Sequence, residues 1–520
     1  MTTEPPEAGQ DGSTAVGDLP PVMETGSFKS AVGWSFALSG GRQAFGFVIT
    51  VILAAILGPT AYGTVAMAYV FVSFTQLFLV QGLMPALIQR RDLTSSQLSS
   101  VFWLALGASA GLAGLSVAAS GWWSSVNHLP DLQPVIVALS ALLPISGLMV
   151  VQESWLRRHL QFRQLAVREN LSVVVGGLAG IGAALLGAGV WALVIQQLGT
   201  QIVAVAVLWR VSDWRPDFHC SFAEVRELVP FTAASSVSAI GTFVNNQGDA
   251  LIIGLFFGPE VVGLYRFAAR IVATAVQVLA RSFQAVSLPE LARHQRDQNA
   301  IRRRLKDLLS LASLATVPLL AVMAAVAPWF IPLLGSEWGS ATTALQILCA
   351  VGIMRVFATF SGPLLQAINR PSLLAVLVWF GAGLSAAAFV IAGVVLEGSS
   401  VASQVNGMAV AGLAVFSILM AVNSWILRRF GGLGLRDQFA TMLVPSFAGA
   451  VAFGVGTFVW TSGATDDLGP LLSVFFGSAL SAGAAAVVLV LCDHRVKVSL
   501  VSAVLALERG VRRLRSGAAR

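Results

Sequence analysis

The chain has 520 residues, of which 56% are hydrophobic and 11% charged, and its mean hydropathy is +0.79. This composition excludes an ordinary soluble globular protein and indicates a membrane protein with many spans. The formal net charge of +7 would suit a nucleic-acid partner, but Lys and Arg concentrate in the tails and in alternate connections between apolar runs, so no nucleic-acid partner is predicted.

The first predicted element is a tail. Residues 1–28 are rich in Pro, Gly and acids and contain no Lys or Arg, which predicts a disordered cytoplasmic tail and no cleaved signal peptide. Fourteen apolar runs long enough to cross a bilayer follow. They lie near 30–57, 63–88, 98–122, 131–152, 166–187, 189–209, 229–257, 260–283, 308–333, 341–367, 372–396, 403–427, 438–461 and 468–492.

The connections between these runs alternate in charge. Those after odd-numbered runs hold no Lys or Arg, whereas basic residues collect after even-numbered runs and in the tail 495–520. Because cytoplasmic segments are enriched in Lys and Arg, we predict an all-α polytopic membrane protein with about fourteen spans and both termini in the cytoplasm.

Two of the connections repeat each other. The first reads LGPTAYGTVAMA at 57–68, the second reads FGPEVVGLYRFA at 257–268, and both contain G-P-x-x-x-G-x-x-x-x-A. Each copy ends one predicted span and begins the next, as in transporters with internal repeats. The repeat therefore predicts two parallel six-helix lobes, an N-lobe at 29–228 and a C-lobe at 229–430, followed by a final helix pair at 431–494.

The first repeat also carries a family resemblance. The stretch from Leu53 to Trp103 combines L-G-P-x-x-x-G, G-L-x-x-A-L-I-Q-R and D-L-T-x-x-Q-x-S, and it resembles the Wzx-type polysaccharide flippases of the multidrug/oligosaccharidyl-lipid/polysaccharide exporter superfamily. A weaker likeness covers GAGVWALVIQQLG at 187–199. This resemblance implies an inner-membrane flippase that moves a polyprenyl-pyrophosphate-linked exopolysaccharide or lipopolysaccharide repeat unit by alternating access. It further implies membrane lipids, a polysaccharide polymerase and glycosyltransferases as partners.

The seventh predicted span carries a polar stripe. Ser235, Ser238, Thr242, Asn245 and Asp249 are spaced 3, 4, 3 and 4 residues apart, which places them on one helix face. Such a face cannot lie against hydrocarbon, where charged and unpaired polar groups are costly. Two interpretations remain open, namely hydrogen bonds to a neighbouring helix and the wall of a wet cavity between the lobes.

Four arginines lie well inside the predicted spans, away from the span ends. Counting about 1.5 Å per residue from the outer glycines places Arg266 level with Asp249 at roughly 13 Å, Arg270 at about 18 Å, and Arg42 and Arg355 at about 24 Å. Asp249 is thus either the salt-bridge partner of Arg266 or a site of ion coupling. At the depth of the other three we expect no carboxylate, although snorkelling to the surface remains open for Arg42 and Arg355.

Unpaired arginines suit an anionic ligand, because guanidinium binds phosphate oxygens bidentately and stays charged. The resemblance extends to lipid II flippases and suggests Arg42, Arg266 and Arg270 as a pyrophosphate cradle, with Arg355 also in contact with substrate. Gln247 is a candidate for a hydrogen bond to a sugar hydroxyl, with packing between helices as the open alternative, and Asn245 is a further candidate substrate contact.

Neither a metal nor a cofactor is predicted, since no Cys or His stands at ligand spacing. Without an ATP-binding motif, the energy would come from an ion gradient, the membrane potential or consumption of the product. Two alternatives to a flippase make different demands on the sequence. An ion-coupled multidrug or cation antiporter would need carboxylates in its cavity, and a membrane polysaccharide polymerase would need substantial external loops with catalytic side chains. The predicted excess of arginines and the short outer connections disfavour both, so we expect a transporter rather than an enzyme.

Overall fold

The computed structural model describes residues 25–89, 94–159, 161–221, 229–295, 297–465 and 468–492, and within these ranges it is helical without any β-strand. The basic tail at 495–520 lies outside them. The first helix begins at Thr25, a few residues before the predicted end of the disordered tail. The orientation of the termini and the lobe boundaries stay predictions.

Fourteen α-helices are described. They are α1 Thr25–Gln89, α2 Ser95–Val126, α3 Leu132–Ser140, α4 Leu142–Arg158, α5 Phe162–Leu185, α6 Val190–Val211, α7 Val229–Phe257, α8 Pro259–Arg293, α9 Gln298–Phe330, α10 Ala341–Ala367, α11 Pro371–Val395, α12 Val401–Gly431, α13 Leu435–Thr461 and α14 Pro470–Cys492. Two 3₁₀ turns, Ile331–Leu334 and Ser336–Trp338, join α9 to α10.

Within the described residues, eleven helical segments are long and apolar enough to cross a membrane, which shows a multi-pass membrane protein. The difference from the predicted fourteen arises in three places. Helix α1 contains the first two predicted spans, which meet at a kink at Gly58, and only its part Gly41–Thr75 counts, as one segment. Of α7, which matches the seventh span, the part Gln247–Phe257 counts as a shorter apolar helix, and α8, which matches the eighth, is not among the eleven.

The two sequence repeats adopt the same backbone bend. Gly58, inside α1, has φ 73° and ψ 171°, and Gly258, between α7 and α8, has φ 79° and ψ −172°. Only glycine adopts such a conformation readily. In each case the next residue is a proline, which is well suited to start a helix because its N–H would have no intrahelical acceptor. The glycine thus turns the chain and the proline starts the next helix.

The motif around Thr94 sets the start of α2. The Thr94 hydroxyl accepts from the Gln97 amide at 3.2 Å, and the Gln97 side chain accepts from the Thr94 amide at 3.2 Å. This reciprocal pair is a capping box, which satisfies amide donors that have no partner within the helix. The T-x-x-Q part of the motif that carried the family resemblance therefore has a direct structural role.

The helices pack as two groups. Helices α1 to α6 form the first group and α7 to α14 the second, and among the described residues the substantial contacts between groups are made by α1, against α7, α8 and the two 3₁₀ turns. We call the contact between α1 and α8 the seam. A core of leucine, valine, alanine and aromatic side chains runs across it.

One end of the seam is closed by the repeats themselves. A Cβ atom placed on Gly63 would lie 1.7 Å from the carbonyl oxygen of Pro259, and one on Gly263 would lie 1.9 Å from that of Pro59. The contact is reciprocal, so the two copies meet about a local twofold axis. Beside it, the rings of Phe267 and Trp338 lie 4.6 Å apart. We call this region the repeat contact.

Candidate functional site

The seam carries two exposed arginines at a distance from the repeat contact. Beside Arg42 on α1, Gln43 Nε2 donates to Gln277 Oε1 of α8 at 3.3 Å. Arg270 lies two turns before Gln277, about 10 Å along the helix. Both arginine side chains are exposed, and no described residue forms a hydrogen bond or ion pair with the Arg270 guanidinium. The structure thus places Arg42 and Arg270 on the two helices that join the helix groups.

Arg42 pairs with a carboxylate, whereas the depth of Arg42 along its predicted span led us to expect none. Its Nη1 lies 3.2 Å from Oε2 of Glu169 on α5, with 52% of the Arg42 side chain and 23% of the Glu169 side chain exposed. The expectation failed because Glu169 lies near the start of α5, inside the predicted span 166–187, where it reaches Arg42 on another helix. The same pairing disfavours snorkelling for Arg42, since its head group is directed to α5.

Glu169 belongs to a larger ionic network. Its Oε1 lies 3.4 Å from Nη2 of Arg168, whose Nη1 contacts Oε2 of Glu153 on α4 at 2.6 Å. Glu153 also pairs with Arg157 one turn later, again at 2.6 Å. Arg168 is buried, with 8% of its side chain exposed, so its charge requires these carboxylates. The network holds α1, α4 and α5 together and ends at Arg42.

Arg266 occupies a different environment from Arg42 and Arg270. Its Nη1 forms a salt bridge with Asp249 Oδ1 at 3.0 Å, and its Nη2 donates to Gln247 Oε1. The salt bridge predicted from equal depth is therefore present. It also separates Arg266 from the proposed pyrophosphate cradle, because its guanidinium is engaged within the second helix group.

Two residues of the polar stripe of α7 line a cavity. Its walls, among the described residues, are formed by α7, α8, α10, α11 and α12, all of the second helix group. Asn245 and Asp249 face it, whereas Thr242 is exposed. The side chains of Ser235 and Ser238 lie outside the described residues.

Arg355 also lines this cavity. Its Cζ lies 4.3 Å from the ring centroid of Phe416, a cation–π contact. Its Nε and the Oδ1 atom of Asn245 are buried without a hydrogen-bond partner among the described residues. A side chain held inside the protein in this way does not snorkel to the surface, so the snorkelling interpretation of Arg355 is wrong.

The sequence-predicted residues thus divide between two places. Arg42 and Arg270 lie at the seam, whereas the others gather inside the second group, where Tyr265 joins them as a cavity residue that the sequence did not suggest. That second set comprises Asn245, Gln247, Asp249, Arg266 and Arg355. Among the described residues, no cluster of His, Cys, Asp and Glu could hold a metal ion.

Comparisons with known proteins agree with this architecture. A family described as "polysaccharide biosynthesis protein" matches residues 52–343. The chain is 28% identical to the succinoglycan biosynthesis transport protein ExoT of Rhizobium meliloti, over 79% of this chain and 82% of that protein. It is 25% identical to the lipopolysaccharide biosynthesis protein WzxC of Escherichia coli, over 62% and 67%. A solved structure of the lipid II flippase MurJ in an inward closed conformation superimposes with a TM-score of 0.67 at 14% identity, covering 89% of this chain and 99% of the other.

Proposed function

Because the chain belongs to the polysaccharide biosynthesis protein family, we propose that it is a flippase, which moves a polyprenyl-pyrophosphate-linked oligosaccharide across the inner membrane. One observation in the structure carries the proposal. Arg42 and Arg270 are exposed on the two helices of the seam, at a distance from the end that the repeat contact closes. The names of the similar proteins, a succinoglycan transport protein and a lipopolysaccharide biosynthesis protein, support the same class of substrate.

The chemistry of the two arginines suits a pyrophosphate. An arginine inside a membrane protein is costly unless it meets water, a carboxylate or a ligand. Arg270 has no described carboxylate, and Arg42 shares a single carboxylate oxygen at 3.2 Å. A pyrophosphate offers several anionic oxygens and accepts bidentate hydrogen bonds from guanidinium groups. Two guanidiniums on opposite sides of the seam would bind it while the prenyl chain stays in the bilayer.

Transport would follow from movement of the helix groups about the seam. With the repeat contact closed, the arginines are reached from the opposite end, which we assign to the cytoplasmic side. Separation of the repeats, together with closure at the arginine end, would then expose the glycan to the outer face. This is alternating access in which two repeats rock about a central site. Enzymes that build and polymerise the same glycan are the proposed partners.

The cavity of the second group has a separate proposed role. Asp249 lines it and holds Arg266, so protonation of Asp249 would free that guanidinium and alter the packing of α7 on α8. We place ion coupling there. Asn245, Gln247 and Arg355 remain predicted substrate contacts, although Gln247 would first have to release Arg266.

Export measurements test the flippase proposal. We expect Arg270→Ala and Arg42→Ala to lose most glycan export, because each removes a pyrophosphate contact worth about 1.5 to 3 kcal/mol, or roughly tenfold or more in affinity. Lipid-linked glycan should then accumulate on the cytoplasmic face while the protein level in the membrane is unchanged. The matched control is Arg428→Ala, which removes an exposed arginine from the last turn of α12 and should export normally. Normal export by both seam variants would contradict the proposal.

A further inference from the structure

We propose that Glu169 is a resident counter-ion of Arg42 and that the pyrophosphate of the substrate takes its place on binding. This inference rests on the proposed function, and it assigns to Glu169 a role in setting affinity and release. The carboxylate touches Arg42 on one side and Arg168 on the other, at 3.2 Å and 3.4 Å.

The backbone brings α1 and α5 together at this point. A Cβ atom on Gly41 would lie only 2.9 Å from Oδ1 of Asn170, so the two helices lie close together beside Arg42 and Glu169. The contact is therefore built into the packing of the two helices. It places a carboxylate on a guanidinium that is otherwise open, with 52% of its side chain exposed.

The network behind Glu169 allows the exchange. Breaking one member out of a buried ion pair is costly when it leaves a charge without a partner. If Arg42 turns to a ligand, however, Glu169 keeps Arg168, and Arg168 keeps Glu153 at 2.6 Å. Neither carboxylate is stranded. Arg42 and Arg157 are the two terminal members of this chain of contacts, and Arg42 is the more exposed of the two. It can therefore leave without isolating a carboxylate.

The exchange has two consequences for transport. In the empty protein, Glu169 offsets the charge of Arg42, which lowers the cost of holding an arginine within the membrane. When the ligand is bound, the same carboxylate competes for the guanidinium and favours release. A pyrophosphate should still displace it, because one carboxylate oxygen at 3.2 Å is a weaker partner than a bidentate phosphate. Glu169 thus acts through Arg42 as a positioning residue.

The inference is tested by ligand binding to the purified, full-length protein in lipid nanodiscs. The probe is farnesyl pyrophosphate, with farnesyl monophosphate and inorganic pyrophosphate in parallel to separate recognition of the diphosphate from that of the prenyl chain. Glu169→Gln should bind farnesyl pyrophosphate about three- to five-fold more tightly than the unaltered protein, the range expected for loss of a partly exposed ion pair. Glu169→Asp keeps the negative charge but moves it away from Arg42, so it should also bind farnesyl pyrophosphate more tightly, by a smaller factor. It provides a second variant if Glu169→Gln folds poorly.

A double-mutant cycle separates this role from a merely structural one. In an Arg42→Ala background, Glu169→Gln should leave the affinity unchanged, because Glu169 acts only through Arg42. Equal or weaker binding by both Glu169 variants, or the same gain with and without Arg42, would overturn the counter-ion role while leaving the flippase proposal intact. Failure of the unaltered protein and of Glu169→Gln to bind farnesyl pyrophosphate would overturn the proposed function and this inference together.

Discussion

At the scale of single residues, the protein manages charge inside the membrane by pairing. Arg266 has Asp249 and Gln247, and Arg168 has Glu153 and Glu169. Arginine in such a position persists because guanidinium stays protonated and can hold more than one acceptor at a time. Arg270 differs from these, since no described residue neutralises it, and for that reason it is the most informative single position for the proposed ligand.

The Asp249 salt bridge leads to a prediction about stability. Asp249→Asn leaves Arg266 without its carboxylate in a partly buried site, so we expect the free energy of unfolding to fall by about 1 to 3 kcal/mol, below the cost for a fully buried pair. The double variant Asp249→Asn, Arg266→Gln should recover most of this loss, because no charge is left unpaired. Thermal unfolding of the purified protein measures both. The control is Asp437→Asn, which removes ion pairs with two more exposed side chains, Arg302 and Lys306, and should cost less. Strict additivity of Asp249→Asn and Arg266→Gln would contradict the prediction.

The same residues show what could be read from the sequence. The Asp249–Arg266 pair was predictable because both residues are counted from one glycine along consecutive antiparallel helices, so equal spacing means equal depth. The Arg42–Glu169 pair was not predictable, because it joins α1 to α5. The relative height of these two helices depends on how they pack beside Gly41. The charged sequence RQLAVREN at the start of α5 was the available signal. It resembles a cytoplasmic connection, and only the helix boundary shows otherwise.

At the scale of helices, the repeat contact depends on two glycines. Gly63→Ala would push a methyl group into the carbonyl of Pro259, and Gly263→Ala would do the same at Pro59. Since backbone atoms cannot swing aside as a flexible side chain can, we expect each substitution to lower the unfolding free energy by about 1 to 3 kcal/mol and to favour separation of α1 from α8 at this end. Thermal unfolding and export are the measurements.

Gly46→Ala is the matched control for these substitutions. Gly46 lies in the part of α1 before the Gly58 bend, and a Cβ atom there would meet no atom within 4 Å, so alanine should be neutral or slightly stabilising through its higher helix propensity. Equal behaviour of Gly46→Ala and Gly63→Ala would show that the repeat contact is not needed for packing. The sequence predicted that the two repeats hold equivalent positions, and their shared bend bears this out. That they touch each other could not be predicted, because periodicity along a chain does not specify which helices meet.

At the scale of the whole molecule, the two helix groups meet chiefly along one helix. Among described residues, α1 supplies the substantial contacts from the first group to the second. This arrangement suits relative motion of the two groups, since motion about one helix disrupts fewer contacts than motion across a broad interface. The family match confirms the resemblance seen in the first repeat. A restraint applied to the intact protein tests which end of the seam opens.

A reversible cross-link at the repeat contact supplies that restraint. Thr60 and Glu260 are exposed and follow Pro59 and Pro259, which touch the opposite repeat, so cysteines at these two positions should be joined by a short, cleavable bis-maleimide. The native cysteines would first be replaced by serine, because Cys220, Cys349 and Cys492 are all free thiols.

If transport requires the repeats to separate, the linked protein should retain its fold and still bind farnesyl pyrophosphate. Its export should fall to background and return when the linker is cleaved. The single-cysteine variants treated with the same reagent are the controls. Full export by the linked protein would mean that the two helix groups do not separate at the repeat contact during transport. Loss of both binding and export would show that the cross-link also blocks access to Arg42 and Arg270.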